Sequence, residues 1–539
     1  MTEICMQLSA YGAAGVAVGV AKASMAPAVL AAEPLPILKK RAVMAFSPVF
    51  VSATRDKVVI LQVHIFIYIV TMNTKTLLLS VALACTLSVS AQTRDGGLSP
   101  DMLTAIRKAQ PAAASDKALA NAIATNSIND LARTYASTRQ VNTYFSNETP
   151  QQSIHNQKSS GRCWMFSGLN VLRANFAKRH ADTLRVEYSQ AYLFFYDQLE
   201  KANLMLQGVI DCARKPMDDT RVRFFFQHPI SDGGTFCGVA DLAEKYGLVP
   251  MSVMPETYSS DNTSLMAKVI SSKLREYGLE LRSMVAAGKK PQAIRARKVE
   301  MLGTIYHILA LTIGEPVQEF AYAFTDKNGK AVAPAKKYTP KSFYEATVGG
   351  KLNGTFIMVM NDPRRPYHKT YEVEYDRHTY DGHNWKYLNL PMDEIARLAI
   401  ASIKGGHKMY SSYDVGKQLD RKRGYLDTEN FDYGTLFGTT FGMNKAQRIE
   451  TFDSGSTHAM TLTAVDLDAQ GNPVKWKVEN SWGPDNGFAG CFIMTNRWFN
   501  EFMFRLVVSK EYVPEALVRE ADQKPVMVMP EDPLFAEDE

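Results

Sequence analysis

The chain has 539 residues, 46% of them hydrophobic and 22% charged, with 33 Gly and 24 Pro. That composition excludes a collagenous, coiled-coil or disordered chain and supplies apolar material for a large core. Six cysteines are too few for a disulfide scaffold, and the formal charge of +6 hints at polyanion binding only until its location is traced.

From the N-terminus, Met72 to Ala91 read MNTKTLLLSVALACTLSVSA. Lys75 precedes an apolar run, Leu77 to Leu87, and small residues follow, with Val89 and Ala91 before a cleavage point. That is the layout of a secretory signal peptide over 72–91, so export to a periplasm or the exterior is expected. Cys85, preceded by Ala82-Leu83-Ala84, is a partial lipoprotein site and the lesser expectation. Residues 1–71 carry a second apolar stretch, Val58 to Val70, but no coherent domain pattern. They are expected to be an upstream extension absent from the native product, with Met72 the initiator. Residues 1–91 hold seven Lys/Arg and three Asp/Glu, so 92–539 carry 54 basic against 52 acidic residues, a net of +2. The electrostatic case for nucleic acid disappears with that excess. The mature chain also shows no apolar run that reads as a membrane span.

Residues 99–136 read as helical, opened by Ser99-Pro100. A loop containing Gln157 and Gly161 leads into Cys163, and Met165, Leu169, Leu172 and Phe176 recur at helical spacing behind it. Cys163 is therefore expected at the first turn of a buried helix, where the helix dipole favours thiolate. Gln157, six residues earlier, can place its side-chain amide beside the Cys163 N–H around a developing oxyanion. Asp232-Gly233-Gly234 taken alone reads as a turn. Residues 264–314 form two long helical patterns separated by Gly288-Lys289-Lys290-Pro291.

After Gly350 the character changes to short strands such as 355–359 and 371–375, and from 457 onward the runs 459–465, 474–478, 490–494 and 504–508 are expected to form a curled antiparallel sheet. His458 enters this region, and Asn480-Ser481-Trp482-Gly483 follows 22 residues later. An Asn carbonyl can accept from one imidazole nitrogen and leave the other for the thiol, while Trp482 excludes water from that bond.

Gln157, Ser160-Gly161-Arg162-Cys163-Trp164, His458-Ala459 and Asn480-Ser481-Trp482-Gly483, in this order, resemble the papain-like cysteine peptidases. Two departures stand out. Ser160 replaces the Cys usual three residues before the nucleophile, so that family's common disulfide is absent. The gap from Cys163 to His458 is 295 residues, against roughly 130–150 in ordinary relatives. The insertion, together with Tyr192-Leu193-Phe194-Phe195, Asn361-Asp362-Pro363-Arg364 and Asn444-Lys445-Ala446, is similar to the bleomycin hydrolase, or aminopeptidase C, branch.

The resemblance implies an α+β papain-like fold: a helical left half, an antiparallel β-barrel-like right half and large helical insertions. Residues 92–262 would form the N-terminal arm and helical half, 263–350 a helical insertion, 351–525 the β-rich half and 526–539 a tail lying in the active-site cleft. It implies a cysteine aminopeptidase acting on peptides, with Cys163 as nucleophile, His458 as acid and base, Asn480 orienting it, Gln157 at the oxyanion and Trp482 as shield. Gly233, Gly234 and the terminal Glu539 would bind substrate. It further implies a homohexamer, no inhibitory propeptide, and neither metal nor cofactor. The tail, Met529 to Glu539, keeps the branch's Asp532-Pro533 but ends in acidic residues rather than small apolar ones. Other readings stay open: an open-cleft endopeptidase, an acyltransferase using the same residues, and a peptide- or nucleic-acid-binding ring with incidental catalysis.

Overall fold

The computed structural model describes residues 96–110 and 113–535. The expected signal peptide, the upstream extension, Cys85 and Glu539 lie outside the described residues. Helix α1 (Pro100–Ala109) belongs to a separate unit that ends at Gln110. Ser99 caps it by accepting from the Met102 N–H at 3.1 Å, and Pro100 occupies the first turn, where its missing N–H costs nothing.

The second unit begins with two short helices, α2 (Asp116–Ile123) and α3 (Ile128–Ala132). The helical half comes next: α4 (Cys163–Arg179), α5 (Gln190–Asp211), α6 (Thr220–Gln227) and α7 (Phe236–Tyr246). Met165, Leu169, Leu172 and Phe176 of α4 are all buried, as their spacing requires. Gly168 lets α4 approach α7 closely, because a Cβ there would fall 2.7 Å from Val239 Cγ2.

The inserted segment contributes the long pair α8 (Thr263–Ala286) and α9 (Pro291–Thr312), both packed on α5. It is not wholly helical. Phe320–Tyr322 pairs antiparallel with Lys336–Tyr338, and helix α10 (Pro340–Thr347) comes after them. Phe320, Tyr322, Phe324, Tyr338 and Phe343 form one aromatic cluster that holds hairpin to helix.

The rear of the chain builds a mixed sheet. Its main strands are β1 (Phe356–Met360), β2 (Lys369–Val373), β3 (Lys386–Asn389), β4 (Met409–Tyr413), β5 (His458–Leu467), β6 (Pro473–Glu479), β7 (Cys491–Thr495), β8 (Met503–Ser509) and β9 (Val526–Val528). Their order is β9-β2-β3-β1-β8-β4-β5-β6-β7, continued by the short strands Tyr425–Leu426 and Leu419–Asp420. The runs expected to be antiparallel do pair so, β5 with β6, β6 with β7, and both β5 and β8 with β4, while each parallel pair involves a strand outside those runs. β1 pairs parallel with β3, β9 with β2, and β7 with Tyr425–Leu426. The hairpin β2-β3 returns its second strand beside β1 in the same direction, which forces the parallel pair. Asn147–Glu148, from the arm before Cys163, adds a further pairing to β5.

Both faces of this sheet are buried. Ala459, Phe504 and Val507 join the core beneath the helical half, whereas Met460, Leu462, Leu506 and Val508 face a second core closed by the helix Met392–Lys404. β1 (FIMVM) and β7 (CFIMT) accordingly read as nearly continuous apolar runs, the pattern of strands covered on both sides. Among the described residues, no helix is long and apolar enough to cross a membrane.

Candidate active site

Cys163 is the first residue of α4, so its backbone N–H is one of the unpaired donors of a helix start. The preceding loop is tied down at several points. The Gly161 N–H donates to Asp232 Oδ2 at 2.6 Å, and a Cβ at Gly161 would lie 2.3 Å from Asp232 Oδ1. Arg162 is wholly buried between Phe166 and Phe194 and pairs with Glu256 at 2.8 Å. Gln157 donates its N–H to Ser481 O at 2.8 Å. Its side-chain oxygen accepts from Ser481 Oγ at 2.5 Å, and its amide nitrogen donates to Ser160 O. One amide hydrogen remains for a ligand beside Cys163, and both residues line the same cavity.

The sheet brings the other two predicted residues together. His458 opens β5, and Asn480 immediately follows β6, its antiparallel neighbour, with Thr461 opposite Glu479. Their side chains meet through His458 Nε2 and Asn480 Oδ1 at 2.7 Å. Asn480 Oδ1 also accepts the Ser481 N–H at 2.8 Å, which orients the amide and makes Nε2 the protonated nitrogen. Nδ1 is thereby the nitrogen left for proton exchange. Trp482 lies 4.9 Å from the imidazole, ring centre to ring centre, and the Arg421 guanidinium sits 4.5 Å over the indole. On the opposite side, the Ala459 N–H donates to Cys163 Sγ at 3.4 Å.

The electrostatics modify the sequence expectation. Burial pushes the Cys163 thiol up to about 11, against the lowering effect of the Ala459 N–H. Burial likewise pushes His458 down to about 4, against the Asn480 bond that favours its charged form. The helix start therefore does not by itself yield a thiolate, because desolvation outweighs it. Each group is therefore disfavoured as a lone ion.

A cavity of about 340 Å³ contains Cys163, His458, Gln157, Gly233 and Gly234. In its glycine wall the carbonyls of Ser231, Asp232 and Gly233 are each taken by a side chain. Lys201 Nζ donates to Ser231 O at 2.9 Å and to Gly233 O at 2.6 Å, and Trp164 Nε1 donates to Asp232 O at 2.8 Å. The Thr235 N–H donates to His378 Nε2 at 3.2 Å, while His378 Nδ1 meets the buried Asp197 at 2.5 Å. A Cβ on Gly234 would fall 2.1 Å from His378 Cε1, so that position accepts only glycine. Pro533, Leu534 and Phe535 of the tail also line the cavity.

Cys163, His458, Asn480, Gln157, Trp482, Gly233 and Gly234 thus converge on one site. Sequence reasoning missed Ser481, which holds the Gln157 amide, although it stands inside the Asn480-Ser481-Trp482 motif. It also missed the Lys201–Asp197–His378 support, whose members are 181 residues apart at the His378–Asp197 bond and share no local pattern. Cys163, Cys212, Cys237 and Cys491 are all free thiols. No group of three or more His, Cys, Asp or Glu among the described residues is arranged to hold a metal ion.

A helix-borne thiol, an imidazole oriented by an amide and a two-donor oxyanion site on this fold define a cysteine peptidase. The peptidase C1-like family model matches residues 97–535, and the chain belongs to that family. Aminopeptidase C of Lactobacillus delbrueckii subsp. lactis is 39% identical over 422 residues, which cover 77% of this chain and 93% of that protein. Human bleomycin hydrolase is 36% identical over 424 residues, 76% of this chain and 92% of its own length. PepW from Lactobacillus rhamnosis HN001, a solved structure, superposes with a TM-score of 0.77 at 36% identity, covering 81% of this chain and 98% of that one.

Proposed function

We propose that this cysteine peptidase is an aminopeptidase that releases residues from the free N-termini of peptides through a thiol acyl-enzyme. Cys163 Sγ attacks the scissile carbonyl as its proton passes to His458 Nδ1. The oxyanion is held by the Cys163 N–H and the free hydrogen of the Gln157 amide. His458 then gives its proton to the leaving amine, and the acyl group stays on sulfur. In the second half His458 draws a proton from water, which displaces the thiolate and releases the amino acid. Asn480 keeps the imidazole in the orientation that serves both transfers, and Trp482 screens their bond from water.

The observation that carries the exopeptidase reading is the tail, because Pro533, Leu534 and Phe535 line the cavity that holds Cys163 and His458. A cleft shut at one end accepts a peptide by its terminus. In this reading the acidic end, Glu537, Asp538 and Glu539, supplies the negative charge that meets a substrate α-ammonium. Free and N-acetylated versions of one aminoacyl-coumarin amide test it on the intact chain. The free form should be cut at least about a hundredfold faster in kcat/KM, and Cys163→Ala should abolish the cleavage; equal rates on the two forms would restore the open-cleft endopeptidase.

Export and assembly extend the proposal. The layout of residues 72–91 supports cleavage after Ala91, and the similarity to the aminopeptidase C branch supports a homohexamer. Native mass spectrometry of the protein from its own cells should find six chains each beginning at Gln92. A peptide from residues 1–71 in that material, or a monomer, would overturn the corresponding part.

A further inference from the structure

The tail is anchored on its way to the cavity by the side chain of Asp532. β9 joins β2 as a parallel edge strand, with Val526 opposite Tyr371, and the chain then passes the buried Pro530 to Asp532. The Asp532 carboxylate receives Arg364 Nη2 at 2.7 Å and also the Arg365 guanidinium. Both arginines are held in turn by Asp362, which is completely buried; Arg364 Nε and Nη2 each reach it at 3.0 Å.

The arginine loop is also tied to β3 by bonds that do not involve the tail. The Asp362 N–H donates to Asn389 Oδ1 at 2.8 Å, and Asn389 Nδ2 donates to the carbonyls of Asp362, Arg365 and Pro366 at 3.0 to 3.2 Å. Two guanidiniums thus face two carboxylates, and only Asp532 makes the cluster neutral. The arginine and Asp532 side chains are between 12% and 19% exposed, so salt screens this pairing weakly. The arginines hold the Asp532 carboxyl below the usual carboxylate range, although burial opposes them.

Asp532 also shapes the turn that ends the tail. Its Oδ1 accepts the Leu534 N–H at 3.1 Å and its carbonyl accepts the Phe535 N–H at 2.8 Å. That turn buries Leu534 and sets Phe535 against the Arg505 guanidinium at 5.4 Å, which places both residues in the cavity wall. We infer that Arg364, Arg365 and Asp532 are positioning residues, an ionic latch that keeps the tail across the cleft and thereby sets the limit between exo- and endopeptidase cleavage. The inference rests on the reading that the tail closes the cleft.

The test uses the full chain, Asp532→Asn, the charge-keeping Asp532→Glu, and a chain lacking residues 530–539. The readout is the ratio of kcat/KM on an N-acetylated peptide to that on the free peptide, with the alkylation rate of Cys163 by iodoacetamide as the check that the nucleophile is intact. Deletion and Asp532→Asn should each raise the ratio about tenfold or more, and Asp532→Glu should leave it near that of the parent. A rise on deletion without one in Asp532→Asn overturns the latch alone. No rise on either overturns the tail-closed reading itself. A fall of both rates with the ratio unchanged assigns Asp532 a structural role and also overturns the latch.

Discussion

At the scale of single residues, Cys163 and His458 are each disfavoured as lone ions, the thiol raised to about 11 and the imidazole lowered to about 4. The site therefore holds one proton between them over the intervening range. A second proton, entering as pH falls, leaves a thiol beside an imidazolium and no base. Because the folded His458 sits below its ordinary value of 6.5, that proton enters only near pH 4. The profile of kcat/KM on a free aminoacyl amide should thus stay level from neutrality to about pH 5 and fall below it. An acid limb centred near 6.5 would show that His458 titrates as an exposed imidazole. These residues were legible in the sequence because the chemistry demands fixed residue types in a fixed order. The depressed basicity was not, since it comes from burial that only the assembled fold supplies.

At the scale of elements, the helices were the easier part. Their apolar spacing marked α4, and Gly288 with Pro291 marked the break between α8 and α9. The runs named in the sequence lie within a few residues of β1, β2, β5, β6, β7 and β8, and those after residue 457 pair antiparallel as expected, whereas β3, β4 and β9 were not read. Parallel pairing of β1 with β3 and of β9 with β2 depends on how a hairpin folds back, and periodicity carries no trace of it. The glycine wall shows the same limit. Gly233-Gly234 was visible as a pair with two readings, and the choice between them lies in distant residues. Lys201 on α5 and His378 in the loop before β3 hold its rearward backbone groups. Lys201 also neutralises Asp197 at 3.1 Å, and burying that carboxylate without its cation would be strongly destabilising, by about 3–5 kcal/mol.

Across the whole molecule, one chain supplies both halves of the cleft and also a tail that lines it. The helical half brings the nucleophile, the two-faced sheet brings His458 and Asn480, and the last described residues, Pro533 to Phe535, line the same cavity. The charge of +6, which first suggested polyanions, has no part in this arrangement; most of the excess lies before residue 92. The contacts that fix the tail join Asp532 to arginines 167 and 168 residues away, a distance at which sequence pattern is silent.

The central claim is that Cys163 is the nucleophile of a cleft that admits only free N-termini. Incubating the intact chain with an aminoacyl chloromethyl ketone bearing a free amine, and in parallel with its N-acetylated form, tests both halves by mass spectrometry. The claim predicts one adduct, on Cys163, from the free-amine reagent and little or none from the blocked one in the same interval. Equal labelling of Cys163 by the two reagents, or labelling at another residue, would contradict it.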